Sequence, residues 1–286
     1  MKTFQLASYE EYQRWRVANA EQRNQRSEQE RLLVQHESSF TTEGFCQVCR
    51  KWVPLLVDFL YSPEPDTDAP RIPNWRERLV CPECNLNNRT RACIHFFTQK
   101  LGATAQDSIF LTEQVTPLYQ YLRAVFPRLV ASEYLGDDIA PGTTHPETGI
   151  RNESVTKLSF EDSQFDYVLS FDVIEHVPDY RKAFAECRRV LRSNGVLLFS
   201  VPFDANAKSN LVRATIDSSG QVHHLLPPEY HGDPINQKGC LCFYHFGWQM
   251  LKELRECGFS SAKAHLYWSD TFGYLGGDQM LFTATA

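Results

Sequence analysis

Apolar and polar positions switch between two periods along the second half of the chain, most clearly from Phe165 to Pro202. Phe165 to Phe171 is a short run rich in apolar, β-prone residues, which predicts a strand. The run breaks at Asp172. Tyr180, Phe184, Cys187 and Leu191 then recur at helical spacing and predict one apolar helix face. Asn194-Gly195 reads as the helix stop. Val196 to Val201 is nearly all apolar, as expected of a strand covered on both faces, and Pro202 ends it. Strand, helix and strand in this order predict a parallel pair joined by a right-handed crossover. Ligands of open parallel sheets bind at the carboxyl ends of the strands. Asp172, Glu175, His176 and Phe203 are therefore expected on the rim of one crevice.

The pattern extends in both directions. Ser108 to Glu113 predicts a first strand, Leu118 to Phe126 a helix, and Arg128 to Ser132 a second strand ending at Glu133. Downstream, Phe246, Met250, Leu254 and Cys257 mark an amphipathic helix closed by Gly258, and Ala262 to Tyr267 and Gln279 to Thr285 read as two last strands. LNNRTRACIHFFTQKLG, after Cys84, predicts a helix; Arg89 and Arg91 within it suit either carboxylates or the nearby cysteines. Residues 8–37 are dense in Glu, Gln and Arg, lack Pro and Gly, and predict helix. Tyr9, Tyr12 and Trp15 form a short stripe there. The plain reading is a solvated helix packed lightly on the body; the sharper one is a lid, with Tyr12 or Trp15 touching substrate. Residues 203–245 interrupt the alternation and hold His223, His224, His231 and His245. Long loops rich in such residues are more often functional than idle, which makes Tyr230, His231 and Asp233 substrate-side candidates. The four histidines lack the tight spacing of a metal site. The expected organisation is an N-terminal helix over 1–40, a cysteine-bearing segment over 41–100, and an α/β domain over 101–286 with an insertion at about 203–245.

The cysteines change the picture. CQVC at Cys46 to Cys49 and CPEC at Cys81 to Cys84 supply four soft thiolates, which suits a closed tetrahedral Zn²⁺ site. The ligands are Cys46, Cys49, Cys81 and Cys84; four protein thiolates leave no open position, so the zinc would be structural. The alternative is a redox pair. Between the knuckles, Pro63, Pro65, Pro70 and Pro73 with Asp and Glu read as an exposed loop. Cys187 and Cys257 read as helix core, and Cys240 and Cys242 as packing. A chain of 286 residues has room for one large α/β domain and a small module. The net charge of −6 and the absence of a long basic run argue against a large nucleic-acid footprint. No apolar run has membrane-spanning length, so no membrane partner is expected. The N-terminus is too polar for a signal peptide. Nine cysteines without an export signal suggest a reducing compartment, and a cytoplasmic location is the expectation.

The run LSFEDSQFDYVLSFDVIEHVPD, Leu158 to Asp179, with the later GVLLFSVP, closely resembles the second half of class I S-adenosylmethionine (SAM)-dependent methyltransferases of the type 11-like group. The resemblance covers roughly residues 105 to 285. It implies a Rossmann-like α/β fold: a seven-stranded, mostly parallel sheet with helices on both faces, beside the N-terminal helix and the zinc knuckles. It implies SAM as cofactor. Glu133 would take the ribose hydroxyls, since a carboxylate accepts both, with Tyr134 against the adenine. Ser154 and Val155 would lie by the adenine amino group, and Asp172 and Val173 by the SAM amino group or the substrate. Glu113, Gln114 and Thr116 would form the turn facing the methionine portion. The chain departs from the family here, because no glycine occurs between Gly102 and Gly136. His176 is a candidate general base, with His231 and Tyr230 as further catalytic candidates. The expected substrate is a small metabolite or glycan precursor. Rival readings are RNA or protein methylation with the zinc segment as recognition module, SAM chemistry other than methyl transfer, and an interaction module that has lost SAM binding.

Overall fold

The structure is a computed structural model, and it describes residues 1–63, 71–236 and 238–286. The predicted loop around Pro65 and Pro70 lies outside the described residues. The N-terminal stretch begins with a strand rather than a helix: β1 (Thr3–Leu6) precedes α1 (Tyr9–Ala18) and α2 (Ala20–Leu32). The predicted single helix thus breaks at Asn19. The hairpin β2 (Ser39–Cys46) and β3 (Lys51–Asp58) and helix α3 (Asn88–Gln99) follow. The alternating part comprises β4 (Ile109–Leu111), α4 (Pro117–Val125), β5 (Leu129–Ala131), β6 (Phe165–Phe171), α5 (Tyr180–Val190) and β7 (Leu191–Ser200). The insertion holds the short strands β8 (Leu211–Val212), β9 (Ala214–Ile216), β10 (Val222–His224), β11 (Tyr230–His231), β12 (Cys240–Leu241) and β13 (Tyr244–His245). Helix α6 (Gln249–Glu256) and the long strands β14 (Ser261–Ser269) and β15 (Tyr274–Thr285) complete the chain.

One seven-stranded sheet runs β1-β14-β15-β7-β6-β4-β5. The expected α/β fold with a seven-stranded sheet is present. The pairs β5/β4, β4/β6 and β6/β7 are parallel, and β15 pairs with β7 antiparallel. The sheet is therefore mixed. Between β5 and β6 the chain makes isolated bridges, among them the parallel one from Glu133 to Asn152, and β1 makes up the seventh strand. Nothing in the polar N-terminal sequence marks β1, because an edge strand is held by backbone pairing rather than by an apolar run.

The chain forms two compact units. One comprises residues 1–5, 13–104 and 265–281; the other comprises 6–12, 105–264 and 282–286. In the first, Phe40, Val53, Leu55, Val57, Trp75, Leu79 and Leu275 form a core beside the cysteines. Arg91 is fully buried there, donating to the carbonyls of Phe272, Leu79 and Gly273 at 2.7, 3.1 and 3.2 Å. Arg89 closes on the Glu77 carboxylate. Glu30 of α2 is buried, and its Oε1 accepts from the Trp268 indole and the Gly276 amide, both at 2.8 Å. This anchors a helix whose sequence reads as solvated.

In the second unit β4 and the end of β6 are buried residue after residue, as a strand covered on both faces must be. Phe184 and Cys187 of α5 are fully buried, as expected; Cys257 is only half-buried, at the end of α6. The helix stop differs from expectation. Helix α5 ends at Val190, and Leu191, read as helical, is a buried strand residue opposite Phe165. Burying Leu191 in the sheet wins over one more helical turn. Asn194-Gly195 lies inside β7, where the register shifts, with Asn194 at φ 64°. Among the described residues no helix is long and apolar enough to cross a membrane.

Gly247 follows the insertion, and a Cβ there would lie 2.5 Å from the Ser209 carbonyl oxygen and 2.6 Å from that of Ala207. Both obstacles are backbone, so Gly247→Ala must displace the chain around Ala207 and Ser209. The expected loss of stability is about 1–3 kcal/mol, measured as a lower urea midpoint at unchanged slope.

Candidate functional site

The carboxyl ends of β4, β5 and β6 are adjacent, so the residues after each strand meet. After β5, Glu133 Oε1 accepts from the amides of Gln114 at 2.6 Å and Val115 at 3.1 Å. The loop after β4, which lacks glycine, is thus held by a side chain. Among the described residues Glu133 Oε2 has no partner. Burial pushes the Glu133 carboxyl up, against its two amide donors. The loop is tied again by Gln114, whose amide donates to the Gly149 carbonyl at 3.1 Å and whose oxygen accepts from the Arg151 amide at 2.9 Å. Thr116 caps α4 by accepting from the Tyr119 amide, and its hydroxyl donates to Glu113. After β6, Asp172 takes φ 54°, a left-handed conformation uncommon outside glycine, and its Oδ1 accepts from Ser200 at 2.7 Å.

A second layer comes from the 3₁₀ turn Ile174–His176 and from the insertion. Strands β11 and β12 pair, setting Tyr230 opposite Leu241 and His231 opposite Cys240. Glu175 is fully buried, and among the described residues neither carboxylate oxygen has a hydrogen-bond partner. His176 Nε2 lies 3.7 Å and His231 Nδ1 3.6 Å from Glu175 Oε1. The other ring nitrogens are occupied: His176 Nδ1 bonds the Leu241 carbonyl at 2.8 Å, and His231 Nε2 bonds Glu229 Oε1 at 3.0 Å. Glu229 also takes His245 Nε2 at 2.9 Å and Arg213 at 3.1 Å. Burial pushes the Glu175 carboxyl up. The Cys242 thiol, then Glu175, hold the His231 imidazole charged up to about 11, and Cys242 likewise raises His245. The two imidazoles lower the Cys242 thiol against its burial. The Cys240 thiol is pushed to about 12, first by burial, then by its bond to Asp233 and by the fields of Asp233, Glu175 and Glu133.

In the other unit the four knuckle cysteines converge. Cys46 and Cys84 sulfurs are 3.9 Å apart, Cys49 and Cys81 sulfurs 3.8 Å, and all four lie within 4.8 Å of one another. None forms a disulfide. A hydrogen bond with Cys84 holds the Cys46 thiol down to about 5, whereas burial and the Cys46 charge push Cys49 up to about 12.

The expected site residues divide accordingly. Glu113, Gln114, Thr116, Glu133 and Asp172 meet at the strand ends, with Val173 half-buried beside Asp172. Ser154 bonds Thr156 at 2.9 Å, Val155 is half-buried, and Tyr134 is exposed. His176 and His231 are brought together, their rings 4.9 Å apart, while Tyr230 is exposed. Asp233 accepts from Cys240. Tyr12 is buried and stacked on Trp248 at 5.5 Å, and Trp15 is buried against Phe4 at 5.5 Å; both are packing positions. Three participants lay outside the expected set: Glu229 and Cys242, and Asn152, whose side chain bonds Leu135, Gly136 and Ile139. Cys242, read as packing, sits between two imidazoles. No local spacing joins Glu229 to Cys242; the hairpin register does.

The stretch from within α4 to the end of β7 has known relatives. Residues 121–199 match the methyltransferase domain family. The matched residues include Glu133, Asp172, Glu175 and His176. Over 58 residues the chain is 41% identical to a probable S-adenosylmethionine-dependent methyltransferase of Mycolicibacterium smegmatis, covering 20% of this chain and 23% of that protein. A protein of the same description from Mycobacterium tuberculosis is 36% identical over 58 residues, covering 20% of this chain and 21% of its own. The chain thus spans less than a third of the length of the curated relatives it matches. A solved N1-methyltransferase of Burkholderia thailandensis, bound to 1,6-didemethyltoxoflavin and S-adenosylhomocysteine, aligns with 68% of this chain and 77% of its own at 15% identity and TM-score 0.38. A SAM-dependent methyltransferase of Mesorhizobium loti covers 67% and 97% at 14% identity and TM-score 0.38.

Glu133→Ala removes the acceptor of the Gln114 and Val115 amides. The expected loss is about 1–3 kcal/mol, with faster hydrogen exchange at Gln114 and Val115. Unchanged exchange at both amides would refute the tie.

Proposed function

We propose that this chain is a SAM-dependent methyltransferase that acts on a small metabolite or glycan precursor. The observation that carries the reading is Glu133. It stands at the end of the second parallel strand with Oε1 fixed by two amides and Oε2 without a partner among the described residues. That arrangement suits acceptance of a ribose hydroxyl, and the segment around it matches the methyltransferase domain family. Asp172 would meet the SAM amino group. When bound, SAM supplies an electrophilic methyl group on its sulfonium. The protein's part is to hold donor and acceptor in contact and keep water out. The net charge of −6 favours a small acceptor over a nucleic acid.

The cysteine cluster would hold a structural Zn²⁺. Zinc–sulfur bonds of about 2.3 Å at tetrahedral angles place sulfurs about 3.8 Å apart, close to the 3.8 and 3.9 Å separations here. A closed thiolate site has no position for substrate, so this metal would secure the β2–β3 hairpin rather than react.

One observation favours a different reading, an interaction module without cofactor. The loop after β4 has no glycine, and two of its amides already serve Glu133. Calorimetric titration with SAM and S-adenosylhomocysteine separates the two. Micromolar binding that weakens roughly 10- to 100-fold in Glu133→Ala, as loss of charge-assisted bonds of about 1.5–3 kcal/mol implies, supports the methyltransferase. No heat with either ligand, from folded protein, supports the module. For the cysteine site, Cys46→Ser with Cys81→Ser should release one zinc per chain and lower the melting temperature; unchanged metal content would overturn it.

A further inference from the structure

Glu175 is the least explained group in the structure. Its carboxylate is fully buried and hydrogen-bonded by nothing among the described residues. An ionised carboxylate stranded this way costs several kcal/mol, so the site as it stands lacks a partner. A protonated Glu175 fares no better, because both facing nitrogens, at 3.6 and 3.7 Å, are too far to hydrogen-bond.

Those two nitrogens are prepared for another role. The His176 Nδ1–H donates to the Leu241 carbonyl, leaving Nε2 with its lone pair toward Glu175. The His231 Nε2–H donates to Glu229, and its Nδ1, which must give up its proton to a metal ion, faces the same oxygen. A second ring nitrogen fixed by a carbonyl or a carboxylate is the usual outer support of a metal-bound imidazole. Ligand bonds of about 2.0–2.2 Å at tetrahedral angles put donor atoms about 3.4 Å apart, near the separations seen. Glu175, His176 and His231 all lie within 4.8 Å of one another by their donor atoms.

We propose that Glu175 Oε1, His176 Nε2 and His231 Nδ1 bind a divalent first-row transition ion, with Glu229 and the Leu241 carbonyl orienting the two imidazoles. Two imidazoles and one carboxylate suit Zn²⁺ or Fe²⁺ and leave further coordination positions open. His231 keeps 29% of its side-chain surface and His176 15%, so a small ligand can reach the ion from that side. An oxygen or nitrogen acceptor bound to the ion would lose its proton more readily. The binding claim itself rests on the cluster alone and does not require SAM.

The test is metal counting by plasma mass spectrometry on the full chain. Wild type, His176→Ala with His231→Ala, and Glu175→Gln are each dialysed against Zn²⁺, or anaerobically against Fe²⁺, then freed of excess. The expected result is one metal equivalent more in wild type than in either variant, with equal retention at the cysteine cluster and superimposable circular dichroism. Glu229→Gln should keep the fold and weaken the second equivalent by about 10- to 100-fold. If wild type holds no more metal than the near-isosteric Glu175→Gln with either ion, the proposal is overturned. Calorimetry with SAM on the same samples is read separately, so failure of the cofactor reading and failure of the metal site are distinguishable.

Discussion

The parallel ladder of β5, β4, β6 and β7 constrains everything else in the candidate site. Its strands advance in one direction, so the residues that follow them emerge on one edge. Phe110, Val168 and Leu198 are completely buried within the ladder, and a slip of one residue would turn each to the other face. That register fixes where the chain leaves the sheet. Glu133, Asp172 and the loop from Glu113 to Thr116 inherit their positions from it.

The loop after β4 solves a problem by an unusual route. A glycine-rich turn brings backbone amides close to a ligand because no Cβ intervenes. Here the turn has ordinary residues, and Glu133 gathers the Gln114 and Val115 amides instead. The carboxylate that the family resemblance assigns to the ribose therefore also shapes the loop. On the proposed reading, one residue would couple cofactor contact to loop order.

Buried charge organises the opposite wall. Glu229 collects His231, His245 and Arg213, which balances its charge inside the insertion. Glu175 faces His176 and His231 at 3.7 and 3.6 Å but accepts no hydrogen bond among the described residues. The contrast between one satisfied and one orphaned carboxylate, a few residues' width apart through His231, gives this wall its chemical character. The cysteine cluster follows the opposite logic, with four donors facing one another and no direction left open.

How much of this was legible beforehand depended on sequence distance. The strand from Phe165 to Phe171, helix α5, the Cys-x-x-Cys knuckles and the acids ending β5 and β6 all follow from local period and spacing, because each is decided within a few residues. Strand β1, the bulge at Asn194-Gly195 and the burial of Tyr12 against Trp248 are pairings between remote segments, and no local pattern encodes them. The same holds for the histidines. Their spacing along the chain argues against a metal site, since His231 lies far from Glu175-His176. The register of β11 on β12 removes that distance by placing His231 and the Leu241 carbonyl around His176. The sequence by itself determined which residues could do chemistry and which strands would carry them. The tertiary structure alone decided which of them meet, because contact between distant segments is set by the burial and pairing of the backbone that holds them.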